Sequence, residues 1–167
     1  RDCLAQIFSN SKQPVKGHCG KLFQITDKRM LQRVFDKDVR TGKEYVYEDL
    51  AEAWENYDKE VGAGIYNKLY QWGSRKSPFI YLARGLLWRK QHWCTEELNR
   101  WLDEFQPECV FLSFSDDYFI PQIALYAAQR YNIPIVSSIG DDYYFNEKFS
   151  LSPLYHLYKR TYRQLIR

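Results

Sequence analysis

No run in this sequence approaches the roughly 18 consecutive apolar residues that a membrane span needs, and no charged-then-apolar leader is read at its start. Transmembrane helices and a signal peptide are therefore excluded as readings. The four cysteines, Cys3, Cys19, Cys94 and Cys109, lie far apart without a CxxC pair, which argues against a disulfide frame or a zinc site. They read instead as reduced, buried thiols of a cytosolic protein, with Cys109 inside an apolar run. His18-Cys19 and His92-Trp93-Cys94 lack the spacing of metal half-sites and read as structural, so no metal is expected. Gly62-Ala63-Gly64 is a GxG without a preceding strand, and Asn67 stands where a dinucleotide fingerprint needs its third glycine. A net charge of +3 falls short of the dense basic stripe of a nucleic-acid binder.

What is present fits a folded α/β domain. At 167 residues the chain matches the size of one domain, residues 1–167, and its 45 % hydrophobic and 27 % charged content is that of a globular protein. Aromatic residues reach 17 %, with Tyr the most frequent; such rings meet sugars or membrane interfaces, or simply fill the core. The chain starts at Arg1, runs almost at once into a strand, and stops at Arg167 within a helical pattern, so both ends read as cut.

Cys3 to Phe8 reads as the opening strand, followed by a turn segment from Ser9 to Gly20 and a second strand over Leu22–Ile25. Asp27 is expected to cap a helix whose Met30, Leu31, Val34 and Phe35 form the packing face. Residues 37–60 are polar and read as a variable connection with one exposed helix, where mobility is expected first. Helical periodicity returns over Val61–Trp72, Ser77–Trp88 and Thr95–Phe105, the last opened by Thr95-Glu96-Glu97. Cys109–Phe114, a helix over about Tyr118–Tyr131 and Ile133–Ile139 then form a βαβ unit, which predicts parallel strands buried on both faces. A last helix covers Pro153–Arg167. The stretches Lys76–Trp93 and Tyr158–Arg167 mix basic and apolar residues, which suits either a solvated helix face or peripheral contact with a membrane.

In a parallel α/β sheet, ligands gather where loops leave the C-terminal ends of the strands. Two such loops echo each other here: Ser113-Phe114-Ser115-Asp116-Asp117-Tyr118-Phe119, and Ile139-Gly140-Asp141-Asp142-Tyr143-Tyr144-Phe145. Each carries an acidic pair followed by aromatics. Rings that stack on a sugar and a carboxylate that bonds or deprotonates a hydroxyl would make this rim a polar-acceptor site. Asp141 is the candidate catalytic residue; Asp142, Ser115, Asp116, Tyr118, Tyr143 and Gly140 are candidate substrate contacts. Backbone capping is the competing role, favoured for Asp117 and evenly weighted for Asp141 and Asp142. A magnesium site built from the four carboxylates is the minor alternative.

The stretch Trp101-Leu102-Asp103-Glu104-Phe105-Gln106-Pro107-Glu108-Cys109-Val110-Phe111 resembles a helix followed by a Pro-Asp-Val-Ile strand, and Tyr131-Asn132-Ile133-Pro134-Ile135-Val136 resembles a Gly-Ile-Pro-Val-Val strand. Both are elements of the N-terminal domain of bacterial family 4-like glycosyltransferases of surface and capsular polysaccharide assembly. Leu4–Phe8 and Phe23–Asp27 are also similar. The resemblance implies a GT-B enzyme with two Rossmann-like domains, of which this chain is the acceptor-side one: three layers, with a mainly parallel sheet flanked by helices. It implies no cofactor or metal, a nucleotide-sugar donor held by a C-terminal domain of the same protein, and a sugar or lipid-linked acceptor. The setting implied is cytoplasmic, with peripheral contact at the inner membrane face. Relatives commonly carry His-Asp after the second strand; here Gly140 precedes Asp141, so only the aspartate carries over. The family's first strand with its Gly-rich loop and its paired glutamates lie outside this sequence, and the chain alone is expected to be inactive. A non-catalytic binding module on the same scaffold is the alternative, and a sugar-nucleotide epimerase a weaker third.

Overall fold

The computed structural model describes residues 4–9, 20–46, 78–114, 119–140, 145 and 149–166. Within them the chain is mixed α/β, in the order β1 (Ala5–Phe8), β2 (Lys21–Ile25), α1 (Asp27–Phe35), β3 (Gly42–Val46), α2 (Pro78–Leu87), α3 (Lys90–Trp93), α4 (Glu96–Phe105), β4 (Val110–Ser113), α5 (Phe119–Tyr131), β5 (Ile135–Ser138) and α6 (Pro153–Ile166). Two compact units form, one from residues 1–75 and 87–105, the other from 76–86 and 106–167. The described strands pair in two small sheets, ordered β1-β2-β3 and β4-β5, where the sequence suggests one mainly parallel sheet. The expected turn over 9–20 and the helix over 61–72 fall largely or wholly outside the described residues, as does the GxG at 62–64.

In the first unit β2 is the central strand, parallel to β1 and antiparallel to β3. Leu22, Phe23, Gln24 and Ile25 are all buried, so β2 has no solvated face and reads as a continuous apolar run interrupted by one glutamine. Burying that amide requires a partner, and the Tyr45 hydroxyl donates to Gln24 Oε1 at 3.3 Å from the neighbouring strand. Around this sheet gather Met30, Trp88, Trp93, Leu98, Trp101 and Leu102, all buried. The Trp88 indole N–H donates to Asp27 Oδ1, and Trp93 Nε1 donates to the Trp88 carbonyl at 3.1 Å. This ties α3 to α1 through two tryptophans.

Three expectations for this unit are corrected. The cap of α1 is Thr26, not Asp27: Thr26 is extended (φ −122°, ψ 150°) and its hydroxyl accepts from the Arg29 amide. Asp27 sits one residue inside, where its charge suits the positive end of the helix dipole. The buried stripe of α1 is Arg29 and Met30; Val34 and Phe35 are exposed. Residues 42–46, placed in a polar connection by their composition, form β3, because pairing with β2 satisfies their backbone and buries Tyr45.

The second unit contains the expected βαβ element. β4 and β5 are parallel, joined by α5, which packs on both strands through Phe119, Ile123, Ala124, Ala127 and Ala128. The alanines let the helix approach the sheet closely, and Pro121 is tolerated because it lies in the first turn. Asn132 closes α5 in the left-handed region (φ 52°), and the Ile133 amide reaches the Ala128 carbonyl at 3.0 Å, a Schellman stop. The Arg84 guanidinium lies over the Phe119 ring, 4.8 Å from its centroid. Burial on both faces does not hold for these strands. Leu112 is buried, but Phe111 (70 % exposed) and Val136 (53 %) face away from α5, since a two-stranded sheet with a helix on one side leaves its other side open. Cys109, expected to be a buried thiol, is exposed ahead of β4, and Cys94 is half-buried; both are free.

Candidate functional site

The register of β4 and β5 decides what their loops can do together. Ser113 is paired with Ser138, and the Phe114 amide donates to the Ser138 carbonyl at 3.0 Å, so the two strands end level at one edge of the sheet. Phe114 and Gly140 are the last described residues before the two acidic-aromatic segments. Ser115, Asp116 and Tyr118 on one side, and Asp141, Asp142 and Tyr143 on the other, lie outside the described residues. Of the candidate set only Gly140 is described: it is exposed, and a Cβ placed on it would meet nothing within 4 Å. Its backbone therefore leaves room for a side chain.

A concave site is formed by residues of the first unit. A cavity of about 680 Å³ opens between α1, the 36–40 turn, β3 and α4, and among the described residues its wall carries four cations, Arg29, Arg40, Lys43 and Arg100, against three carboxylates, Asp36, Glu44 and Glu97. The turn is pinned from both sides: Arg33 donates to the Val39 carbonyl at 2.9 Å, and Asp36 Oδ1 accepts from the Asp38 amide at 3.0 Å. Arg29 is buried in the wall, while Arg40 is largely exposed and reaches Glu97 Oε1 at 3.7 Å. Arg100 pairs with Glu104 one turn along α4, at 3.9 Å. The lining suits hydrogen bonding to a polar ligand of mild negative charge. Among the described residues of the lining there is no Ser, Cys or His that could act as a nucleophile or imidazole base.

Glu97 is an acid of this wall with several partners. Its carboxyl titrates below the ordinary 4.5, chiefly because it accepts from its own backbone N–H in the first turn of α4, with help from the Thr95 hydroxyl and from Arg40 and Arg100; partial burial works in the opposite direction. A folded-state value below the unfolded one adds stability above the unfolded value, and that stability is lost as pH falls through the folded value. Glu97→Gln is therefore expected to be less stable than the wild type at pH 6, by well under about 1 kcal/mol because Arg40 is solvated, and to match it in strong acid. Urea midpoints at both pH values check this; a gap that persists unchanged in acid contradicts it.

None of the cavity residues stands out along the chain, because they come from three separate segments. The legible signal is a polar stripe on α1, Arg29 and Gln32, continued by Asp36 just past its end, together with Glu97 and Arg100 at a spacing of three on α4. Among the described residues no group of His, Cys, Asp and Glu is placed to hold a metal. The His92 ring is engaged in hydrogen bonds, Nδ1 donating to the Leu87 carbonyl at 2.7 Å and Nε2 accepting from the Gln91 amide at 3.2 Å. No described helix is long and apolar enough to cross a membrane. Comparisons with protein-family models, with curated proteins and with solved structures gave no match.

Proposed function

We propose that this chain is the acceptor-side domain of a GT-B glycosyltransferase that moves a sugar from a nucleotide-sugar to a polysaccharide or lipid-linked acceptor. The observation that carries the reading is the level ending of the parallel strands β4 and β5, which starts both acidic-aromatic segments from one edge. Parallel α/β sheets bind ligands at that edge. The segment resemblance across Trp101–Phe111 and Tyr131–Val136 supplies the reaction class, and these residues span α4, β4 and the approach to β5. The reading carries with it a Rossmann-like three-layer arrangement, and the parallel pairing of β1 with β2 and of β4 with β5, each in its own sheet, is compatible with it. In it, Asp141 contacts or deprotonates the acceptor hydroxyl, and Asp142, Ser115, Asp116, Tyr118, Tyr143 and Gly140 form the acceptor rim. The donor is bound by a C-terminal domain, without a resident cofactor, at the cytoplasmic side.

A non-catalytic binding module is the second reading, and Gly140 favours it: an open backbone position precedes Asp141 where the resembling family has its imidazole. The test is calorimetry and turnover with a panel of nucleotide-sugars on the longer protein that the first reading implies, on this chain, and on an Asp141→Ala variant. Donor binding by the longer protein alone, with turnover reduced roughly 100-fold or more in Asp141→Ala, supports the enzyme. Failure of the longer protein to bind any donor leaves the binding module.

A further inference from the structure

We infer that the cavity bounded by α1, the 36–40 turn, β3 and α4 is a binding site for a small zwitterion, an α-amino acid with an acidic side chain. The inference does not rest on the glycosyltransferase reading: the cavity residues belong to the first unit, and the acidic-aromatic segments to the second. A volume of about 680 Å³ lies within the range of small-molecule pockets. Size alone selects no ligand; the charges of the wall do.

Glu97 interacts with two guanidinium groups, Arg40 at 3.7 Å and Arg100, so these three side chains together carry one surplus positive charge. Arg100 also meets Glu104, at 3.9 Å. Both measured ion pairs are longer than the roughly 2.7–2.9 Å of a direct charge-assisted hydrogen bond, so the wall's own carboxylates leave these guanidinium forks open to a ligand. Arg29, buried in the wall, adds a third guanidinium. Against them stands Glu44, which lines the same cavity, is exposed, and has no side-chain hydrogen bond or ion pair among the described residues.

Guanidinium groups only donate hydrogen bonds, and ionised carboxylates only accept them. A simple anion would satisfy the arginines but set its charge against Glu44 and Glu97, and a simple cation would do the reverse. An α-amino acid brings a carboxylate for Arg40 and Arg100 and an ammonium group for Glu44, and in a concave wall each attraction is stronger than in open water. The four cations against three carboxylates among the described lining residues leave an excess that a second carboxylate on the ligand matches. This is the chemistry of an acidic amino acid.

Calorimetry of the chain with L-glutamate, with glutarate and with inorganic phosphate tests this. Glutarate keeps the carbon frame and both carboxylates but lacks the ammonium group, so L-glutamate is expected to bind at least about tenfold more tightly than glutarate or phosphate. Glu44→Gln is expected to weaken L-glutamate about tenfold and leave glutarate no weaker, whereas Arg100→Gln is expected to weaken both. Glu44 and Arg100 are exposed, and far-ultraviolet spectra of both variants are expected to match the wild type. The proposal is overturned if L-glutamate does not bind at millimolar concentration, if glutarate or phosphate binds as tightly, or if Glu44→Gln weakens L-glutamate and glutarate equally.

Discussion

Replacing Trp88 with alanine is expected to lower the stability of the first unit by about 3–5 kcal/mol, the range for deleting a buried tryptophan. The indole is 1 % exposed, and it joins two elements that the sequence separates by more than fifty residues: its N–H donates to Asp27 at the start of α1. Alanine opens a large cavity and removes a charge-assisted donor from a half-buried carboxylate. Trp88→Phe separates the two effects. It keeps most of the volume and loses the N–H, and is expected to cost roughly 1–3 kcal/mol, the range for a hydrogen bond to a charged group. The Trp88 carbonyl remains available to Trp93 in both variants. Urea unfolding followed by far-ultraviolet circular dichroism avoids the lost fluorophore. A cost below about 1 kcal/mol for the alanine variant would mean that the two tryptophans do not organise this unit.

Elements whose determinants are local were legible in the sequence. β2 announces itself as a four-residue run with no room for a solvated face, and α4 by Thr95 ahead of two glutamates, the Thr95 hydroxyl accepting from the Leu98 amide at 3.4 Å. Pro78 and Pro153 stand at the first positions of α2 and α6, where a missing N–H costs nothing. The β4-α5-β5 unit followed from two apolar runs and a helix of the right length. β3 was not legible, because Gly42-Lys43-Glu44-Tyr45-Val46 alternates weakly and becomes a strand only by pairing with β2. Nor could the pattern of Val110–Ser113 and Ile135–Ser138 say which face is covered, since Phe111 and Val136 read the same whether or not anything packs on them. The cap of α1 was missed by one residue, since both Thr26 and Asp27 are good caps and the backbone angles choose between them.

The two candidate sites differ in the same way. The rim at the ends of β4 and β5 was legible as two matching segments, and the strand register adds that both begin from one edge. The cavity of the first unit was not, because it exists only once α1, β3 and α4 are folded against each other. Its floor depends on β3 lying close to β2, and that closeness depends on a glycine.

Gly42→Ala is the variant that tests this closeness. A Cβ on Gly42 would lie 2.4 Å from Cε1 and Cζ of Phe23, so the ring has to move. An exposed side chain would swing away at little cost, but Phe23 is 1 % exposed and its ring rests against Trp101 at a centroid distance of 5.4 Å; Trp101 in turn stacks on Phe105 at 6.2 Å. Displacement therefore passes into α4. The expected cost is about 1–3 kcal/mol, that of overpacking a close-packed core. Shortening the obstructing side chain separates this account from a general intolerance of alanine in β3. Phe23→Leu removes the ring atoms that clash and leaves a cavity in the wild-type background, and in the Gly42→Ala background the new methyl group takes up part of that space. The double variant is expected to be more stable than the sum of the single losses predicts, with a coupling of roughly 1 kcal/mol. Urea midpoints of the four proteins of the cycle measure it; strict additivity would mean that Gly42 is required for the backbone of β3 and not for the room it leaves Phe23.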